Sequence, residues 1–346
     1  MKKELFGRLS SEEFEVLKNK YQTENSQFNK SLIFHVGTGA GLYSELGAML
    51  ESMCYCHANK VQFRLYADDA NFSNENGWNE LFEPFGCECH NSLNKKYNYR
   101  YKKYHRIHGV AVPNLLLRSI VFPSILKKKE NVTYLTQDLF DDIVSEKFRF
   151  SRMAWPLFEM NGVVRDEYAK LGQLALRYNE KTAADIANLV ETLQLPEHYI
   201  SIQIRGGDKT QEFTDIIDAD YCTKLIEKNI GEEKNVFIFT DDYRNVKRIQ
   251  ELHPEWNLYT LTRQDECGYY NAAFNALSWE ERRKDLIKLF AIVEVCIQSD
   301  MHIGCNGACV NNYIRSCRMG RPYDEYTIGT ARTKTGIDKI KRIFGV

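Results

Sequence analysis

Between residues 199 and 305 short apolar runs alternate with helix-like stretches, and this alternation constrains the fold more than any other feature of the chain. The runs "YISIQIR" (199–205), "NVFIFT" (235–240) and "MHIGC" (301–305), with a shorter one near "NLYTL", have the length and the β-branched or aromatic content of buried strands. Helical spacing falls at 219–229, 243–252 and 279–298, and a last helix begins at about 307. Strands alternating with helices predict a parallel sheet with right-handed crossovers. The first half repeats the theme: strand "SLIFHVG" (31–37), glycine-rich turn "GTGAGL", buried helix "YSELGAMLESMCYCHAN", strand "VQFRLYA" (61–67). The expected fold class is α/β, with two Rossmann-like domains facing across a cleft.

At 346 residues the chain exceeds one hydrophobic core. The spacing predicts an N-terminal domain over 1–165, a C-terminal domain over 166–330, and a terminal helix over 331–346 that packs back on the first domain or makes weak peripheral contact with a membrane. Helical periodicity also runs through 167–195. The run "NKKYNYRYKKYHR" (94–106) reads as a solvated loop, with recognition of a phosphate or sugar as its other use.

Ligands of open parallel sheets bind beyond the carboxyl ends of the strands. Three such ends are polar in the second half. In "RGGDK", Gly206 and Gly207 allow close backbone approach, Arg205 offers a planar fork, Lys209 a point charge, and Asp208 sits between them. In "FIFTDD", Thr240, Asp241 and Asp242 follow the strand. In "IGCNGACVNN", Asn306, Gly307 and Ala308 lead into a helix whose amides can hold phosphate oxygens. Each turn alone has an ordinary structural use as a cap or a reverse turn. Together at one sheet edge they predict a shared anion site.

A formal net charge of -1 provides no global field for nucleic acid, so an anionic ligand needs this local cluster. No stretch has the length of a signal core or a membrane span, which sets the expected location as cytoplasmic and the ten cysteines as mostly free thiols. "CYCH" (54–57) and "CECH" (87–90) would offer sulfur and imidazole to zinc, but alternate residues of a helix do not share a face, which favours buried thiols. The carboxylate pairs at 68, 141 and 241 would suit Mg2+, yet Arg205 and Lys209 already supply charge beside the third, so the site is expected to be metal-independent.

The blocks "SIQIRGGDK", "VFIFTDD" and "SDMHIGCNGACVNNYI", in this order, resemble those of the α1,6- and α1,2-fucosyltransferase superfamily, which includes the protein O-fucosyltransferases. The Asp208-Lys209 pair is most similar to the α1,6 type, including the rhizobial Nod-factor enzymes, and "GLYSEL" (41–46) resembles the family's glycine-rich loop, which makes Gly39 and Gly41 candidates for ligand contact. The resemblance implies an inverting, metal-independent glycosyltransferase of the GT-B type, with GDP-fucose as donor and an oligosaccharide or glycolipid as acceptor. It implies that Arg205 contacts the diphosphate, that Asp241 and Asp242 form the family's acidic pair, that residues 305–308 form a phosphate loop, and that Glu212 lies near the base position. Gln203 stands where the family has His, and Gly206 replaces an Arg. The acid that reads guanine has two candidates in the helix before the last strand, Asp285 and Glu294, and Glu294 inside "LFAIVEVCI" needs a partner. An ion pair would serve it as well as a base edge.

The chemistry stands apart from the resemblance. Sugar transfer builds negative charge on the leaving phosphate, which Arg205 and Lys209 would stabilise in the transition state. The acceptor hydroxyl must lose a proton, for which Glu212 is the first candidate and Asp215 and Asp242 the next. Other nucleotide sugars, or binding without catalysis, remain open readings of the same residues.

Overall fold

The computed structural model describes residues 8–100, 117–211, 213–214, 217–232 and 234–331. The chain forms one unit on Leu9–Arg177 and another on Tyr178–Arg332. The passage between them follows Arg177 rather than residue 165. The reason is local: the turns Val164–Glu167, Tyr168–Leu171 and Gly172–Ala175 bury Val164, Leu171 and Leu174 completely and belong to the first unit. The expected continuous helix over 167–195 is therefore broken, and only its second part, capped by the Asn179 side chain on the Thr182 amide at 2.9 Å, is a long helix. The terminal helix expected over 331–346 lies outside the described residues, apart from Ala331.

In the first unit α1 (Ser11–Ser26) opens on a capping box in which Ser10 and Glu13 satisfy each other's amides. Then come β1 (Lys30–His35), α2 (Leu42–Ala58), β2 (Val61–Tyr66), β3 (Cys87–Glu88), α3 (Phe122–Glu130), β4 (Tyr134–Leu135) and α4 (Thr136–Ile143). Strands β3-β2-β1-β4 form a parallel sheet in that order, followed by an antiparallel hairpin of β5 (Arg152–Trp155) and β6 (Met160–Val163).

The second unit starts with α5 (Glu180–Thr192) and β7 (Ile200–Ile204). It continues through β8 (Phe213–Thr214), α6 (Ala219–Glu227), β9 (Asn235–Thr240), α7 (Tyr243–Leu252), β10 (Asn257–Tyr259), α8 (Trp279–Gln298), β11 (Met301–Asn306), α9 (Cys309–Cys317), β12 (Tyr323–Thr327) and β13 (Thr330–Ala331). The parallel sheet has the order β10-β9-β7-β11-β12. Every residue of β7 is buried, as expected of a strand covered on both faces. Ile200, Ile202 and Ile204 pack with Cys222, Ile226, Val246 and Ile249 of α6 and α7. The chain winds outward from β7 to β10 and then returns to place β11 on the other side of β7. The gap between β7 and β11 is thus the topological switch point where such sheets take ligands.

Ser201 and Gln203 share the opposite face of β7. Ser201 meets His302 of β11, whose Nδ1 accepts from the Ser201 hydroxyl at 2.7 Å while Nε2–H donates to Asn311 Oδ1 at 3.1 Å. Complete burial lowers the His302 pKa to about 3, so the ring stays neutral in the folded state. An unfolded His takes its proton near pH 6.5, so stability falls as pH drops from about 6.5 toward 3, by about 1.4 kcal/mol per pH unit for this one group. Urea unfolding across that range should show the His302→Gln variant with a slope shallower than the parent by about one proton.

Candidate active site

Arg205 emerges from the carboxyl end of β7, and its guanidinium is fixed before any ligand arrives. One terminal nitrogen pairs with Asp241 and the other donates to Asp208 Oδ1 at 3.0 Å. Its face lies 5.4 Å from the Tyr269 ring centroid. Asp241, at the end of β9, is the hub of this arrangement: besides Arg205 it accepts the Gly206 amide at 3.0 Å and the Tyr269 amide at 3.1 Å. Three loops that are distant in sequence are tied at one carboxylate. Among the described residues two of the five Arg205 N–H groups serve these acids, and the rest of the fork can meet an incoming acceptor such as phosphate.

Lys209 follows on a single turn over Gly207–Gln211. Its position shows in the buried Cys305 thiol of β11: burial pushes that thiol up to about 11, the charges of Arg205 and Lys209 pull it back, and Asp241 opposes them. β9 and β11 flank β7 in the sheet, so Arg205, Asp241 and Cys305 lie at the ends of neighbouring strands. Asn306 and Gly307 are exposed at the end of β11, Gly307 in left-handed backbone at φ +99°. Ala308 caps α9 without a side-chain hydrogen bond, so the first amides of that helix face the switch point with the positive end of its dipole.

Beneath Arg205 on the same face, Gln203 is 1% exposed, and neither its amide nitrogen nor its oxygen has a partner among the described residues. A buried carboxamide left unpaired is costly.

Several sequence-derived assignments are corrected by the geometry. Gly207 does not keep backbone clear for a ligand: it has φ +55°, and a Cβ there would collide with the Tyr269 carbonyl oxygen. Its neighbour Gly206 tolerates one, with Asp241 Oδ1 at an ordinary 3.6 Å. Gly207→Ala should lower stability by about 1–3 kcal/mol in urea unfolding, whereas Gly206→Ala should stay close to the parent protein. Thr240 is buried and serves the turn, its hydroxyl accepting from the Asp242 amide at 3.2 Å and from Asn245 at 3.0 Å. Asp242 caps α7 through the Arg244 amide at 2.9 Å, and the Arg244 guanidinium holds both of its oxygens and keeps its pKa low. That leaves it poorly suited to act as a base. Glu212 and Asp215 lie outside the described residues.

Glu294 is buried, but at the wrong end of α8. Helices of such a fold run opposite to the strands, and Glu294 is about 6 Å from the end of α8 that delivers the chain to the start of β11. The Cys317 thiol at the far end of α9, raised by burial, is raised further by the Glu294 charge, which places Glu294 near that end. Asp285, nearer the start of α8, is the acid close to the site: burial raises the Tyr269 phenol, the Asp208 and Asp285 charges add to that against Arg205, and Arg263 lies 3.8 Å from Asp285.

In the first unit the glycine-rich loop is already filled. The fully buried Glu45 carboxylate accepts the Gly37 amide at 2.9 Å and the Ala40 amide at 3.0 Å, and pairs with Arg100. It takes the amides that a phosphate would need. Gly39 requires its glycine backbone at φ +109°, Gly41 does not, and a Cβ at either would meet open space. The described part of the basic and aromatic run is also engaged, with Tyr97 stacked on Phe122 at 4.7 Å and Arg100 on Glu45; residues 101–106 lie outside the described residues. All ten cysteines are free. Burial pushes the Cys54 and Cys56 thiols up and Cys89 to about 12, while His90 is hydrogen-bonded to Asp68 at 2.9 Å and His57 Nδ1 lies 3.0 Å from a Glu24 oxygen without forming a hydrogen bond. No group of three or more metal-ligating side chains occurs among the described residues.

Sequence reasoning did not single out Tyr269 and Gly268. The Gly268 amide donates to the Asp241 carbonyl at 2.6 Å, and a Cβ on Gly268 would come within 2.8 Å of Gly207 Cα, so two glycines bring the two loops into backbone contact. The signal available was the glycine of "ECGYY" between a charged and an aromatic pair.

No protein-family model and no curated protein matches the chain. Among solved structures, it is similar to the NodZ α-1,6-fucosyltransferase soaked with GDP-fucose, with a TM-score of 0.48 and 11% identity over 83% of this chain and 92% of that one. Fucosyltransferase NodZ from Bradyrhizobium gives a TM-score of 0.47 and 13% identity over 83% and 92% of the two chains. POFUT1 in complex with GDP gives a TM-score of 0.47 and 10% identity over 86% and 99%.

Proposed function

We propose that the protein is an inverting, metal-independent glycosyltransferase that moves fucose from GDP-fucose to a hydroxyl of an oligosaccharide or glycolipid. The observation that carries this reading is the convergence of Arg205, Lys209 and the uncapped start of α9 at the switch point between β7 and β11. An anion with the dimensions of a diphosphate meets a planar cation, a point cation and helix amides there. Gln203 and Asp285 supply polar groups beside it for the nucleoside.

In this reading Arg205, preorganised by Asp241 and Asp208, gains most when the leaving phosphate takes up negative charge. Lys209 adds its charge at the same oxygens. The acceptor hydroxyl attacks the anomeric carbon, the bond to the diphosphate breaks, and the configuration inverts. The hydroxyl proton goes to Glu212, since Arg244 occupies the Asp242 carboxylate. The test supplies GDP-fucose, GDP-linked and UDP-linked hexoses in turn with a glycan acceptor mixture. Release of GDP from GDP-fucose, dependent on acceptor, is the expected result, and a product of retained configuration rules out single displacement. Glu212→Gln should reduce turnover by on the order of 10²–10⁴ while GDP still binds; unchanged turnover would remove Glu212 from the mechanism.

A further inference from the structure

We propose that the helical stretch beginning at Leu117 and continuing through α3 is a docking surface for an anionic lipid bilayer. Leu117 is 40% exposed, Ile120 56%, Val121 37% and Ile125 50%, and large apolar side chains so exposed are concentrated here more than anywhere else among the described residues. Leu117, Val121 and Ile125 recur four residues apart with Ile120 beside them, so they form one outward stripe along the helix, while Pro123 and Leu126 face inward and are buried. Lys128 continues the stripe and Lys129 flanks it, both exposed, whereas Lys127 is held by Asp138 and Glu130 by Arg64.

The occupant follows from the side-chain chemistry. Aliphatic side chains that end in lysines suit the boundary between acyl chains and anionic headgroups, where the lysine stems lie along the apolar layer and their ammonium groups reach phosphate. A stripe with four aliphatic residues makes this contact shallow and reversible. No helix among the described residues is long and apolar enough to cross a membrane, so contact would be confined to the surface.

The full chain, without nucleotide, would be floated with vesicles of phosphatidylcholine alone or mixed with phosphatidylglycerol. Binding is expected only to the mixed vesicles and should weaken as salt rises. The Ile120→Glu, Ile125→Glu double variant and the Lys128→Glu, Lys129→Glu double variant should each bind on the order of tenfold more weakly or worse, with unchanged circular dichroism and thermal midpoint because all four side chains are exposed. The proposal is overturned if the parent protein ignores both vesicles, or if the isoleucine variant binds as the parent does. It is also overturned if the parent self-associates through this face and that association, rather than vesicle binding, is what the isoleucine variant loses.

Discussion

Arg205→Ala should abolish sugar transfer and weaken GDP binding by on the order of 10²-fold or more, with the fold intact. The loss has two components. The variant lacks the fork that meets the diphosphate, and an effect on the chemical step comparable to losing an oxyanion donor, about 10²–10³ in turnover, is added to the loss of affinity. It also leaves Asp241 and Asp208 facing the same cleft as uncompensated carboxylates, which repel an anionic ligand. Arg205→Lys separates these components: it restores one charge but cannot bridge Asp241 and Asp208 together, so binding should recover in part and turnover less. Calorimetry with GDP and initial rates with GDP-fucose, each beside a thermal melt, measure the effects. Turnover near that of the parent in Arg205→Ala would sink the assignment of the site.

The largest effect on stability is expected from Arg318→Leu. Arg318 is 1% exposed and carries its charge into the space between the end of α8 and the start of β12. It has no carboxylate partner among its described hydrogen bonds. One terminal nitrogen donates to the carbonyls of Cys296 at 3.0 Å, Ile297 at 2.9 Å and Ser299 at 2.7 Å, and the other to those of Asp300 at 3.2 Å and Pro322 at 2.5 Å. These include the last carbonyls of α8, which have no helical partner and sit at the negative end of its dipole. Burial lowers the Arg318 pKa to about 10, with the nearby Arg321 adding to the effect and Asp300 among the groups opposing it, and backbone carbonyls supply most of the hydrogen bonds that hold the ion. Leucine would fill much of the volume but remove the charged donor that ties the end of α8 to the Asp300 and Pro322 carbonyls, leaving the Ile297 and Ser299 carbonyls to Arg321 and that of Cys296 to the Ser299 hydroxyl. A loss of about 3–5 kcal/mol in urea unfolding is expected, with nucleotide affinity little changed in the fraction that remains folded. A loss under about 1 kcal/mol would mean that Arg321, which already donates to the Ile297, Gln298 and Ser299 carbonyls, is sufficient to hold the helix end.

The parts of the fold that were legible in the sequence are those where burial on both faces leaves a simple mark. Strands β7, β9 and β11 read as continuous apolar runs because helices cover both sides of the sheet, and each polar residue that ends a run marks the carboxyl edge. Edge strand β12 was missed because "YDEYT" buries only Tyr326 and otherwise faces water. The helix α1 was missed although Ser10 and Glu13 carry the capping-box spacing. At the site, Arg205 was legible from its place after a strand. Its partners were less so: Tyr269 reaches it from a loop after β10, with no local pattern to link the two.

Glycine and acid patterns misled where one residue type has two uses. Gly207 meets protein backbone instead of ligand, and Glu45 turns inward to fill a loop that looks from its sequence like a phosphate cradle. Burial of Glu294 was correctly expected from its apolar neighbours, yet its position along α8 puts it at the amino edge of the sheet. Direction along a helix, not periodicity, decides which edge a residue serves.

The most direct test of the central claim, a nucleotide diphosphate held at the carboxyl edge between β7 and β11, is calorimetric titration with GDP, UDP, CMP and dTDP, with and without Mg2+. The account predicts preferential GDP binding that Mg2+ does not change and that Arg205→Ala removes. Preference for UDP, a requirement for Mg2+, or GDP binding that survives Arg205→Ala would contradict it.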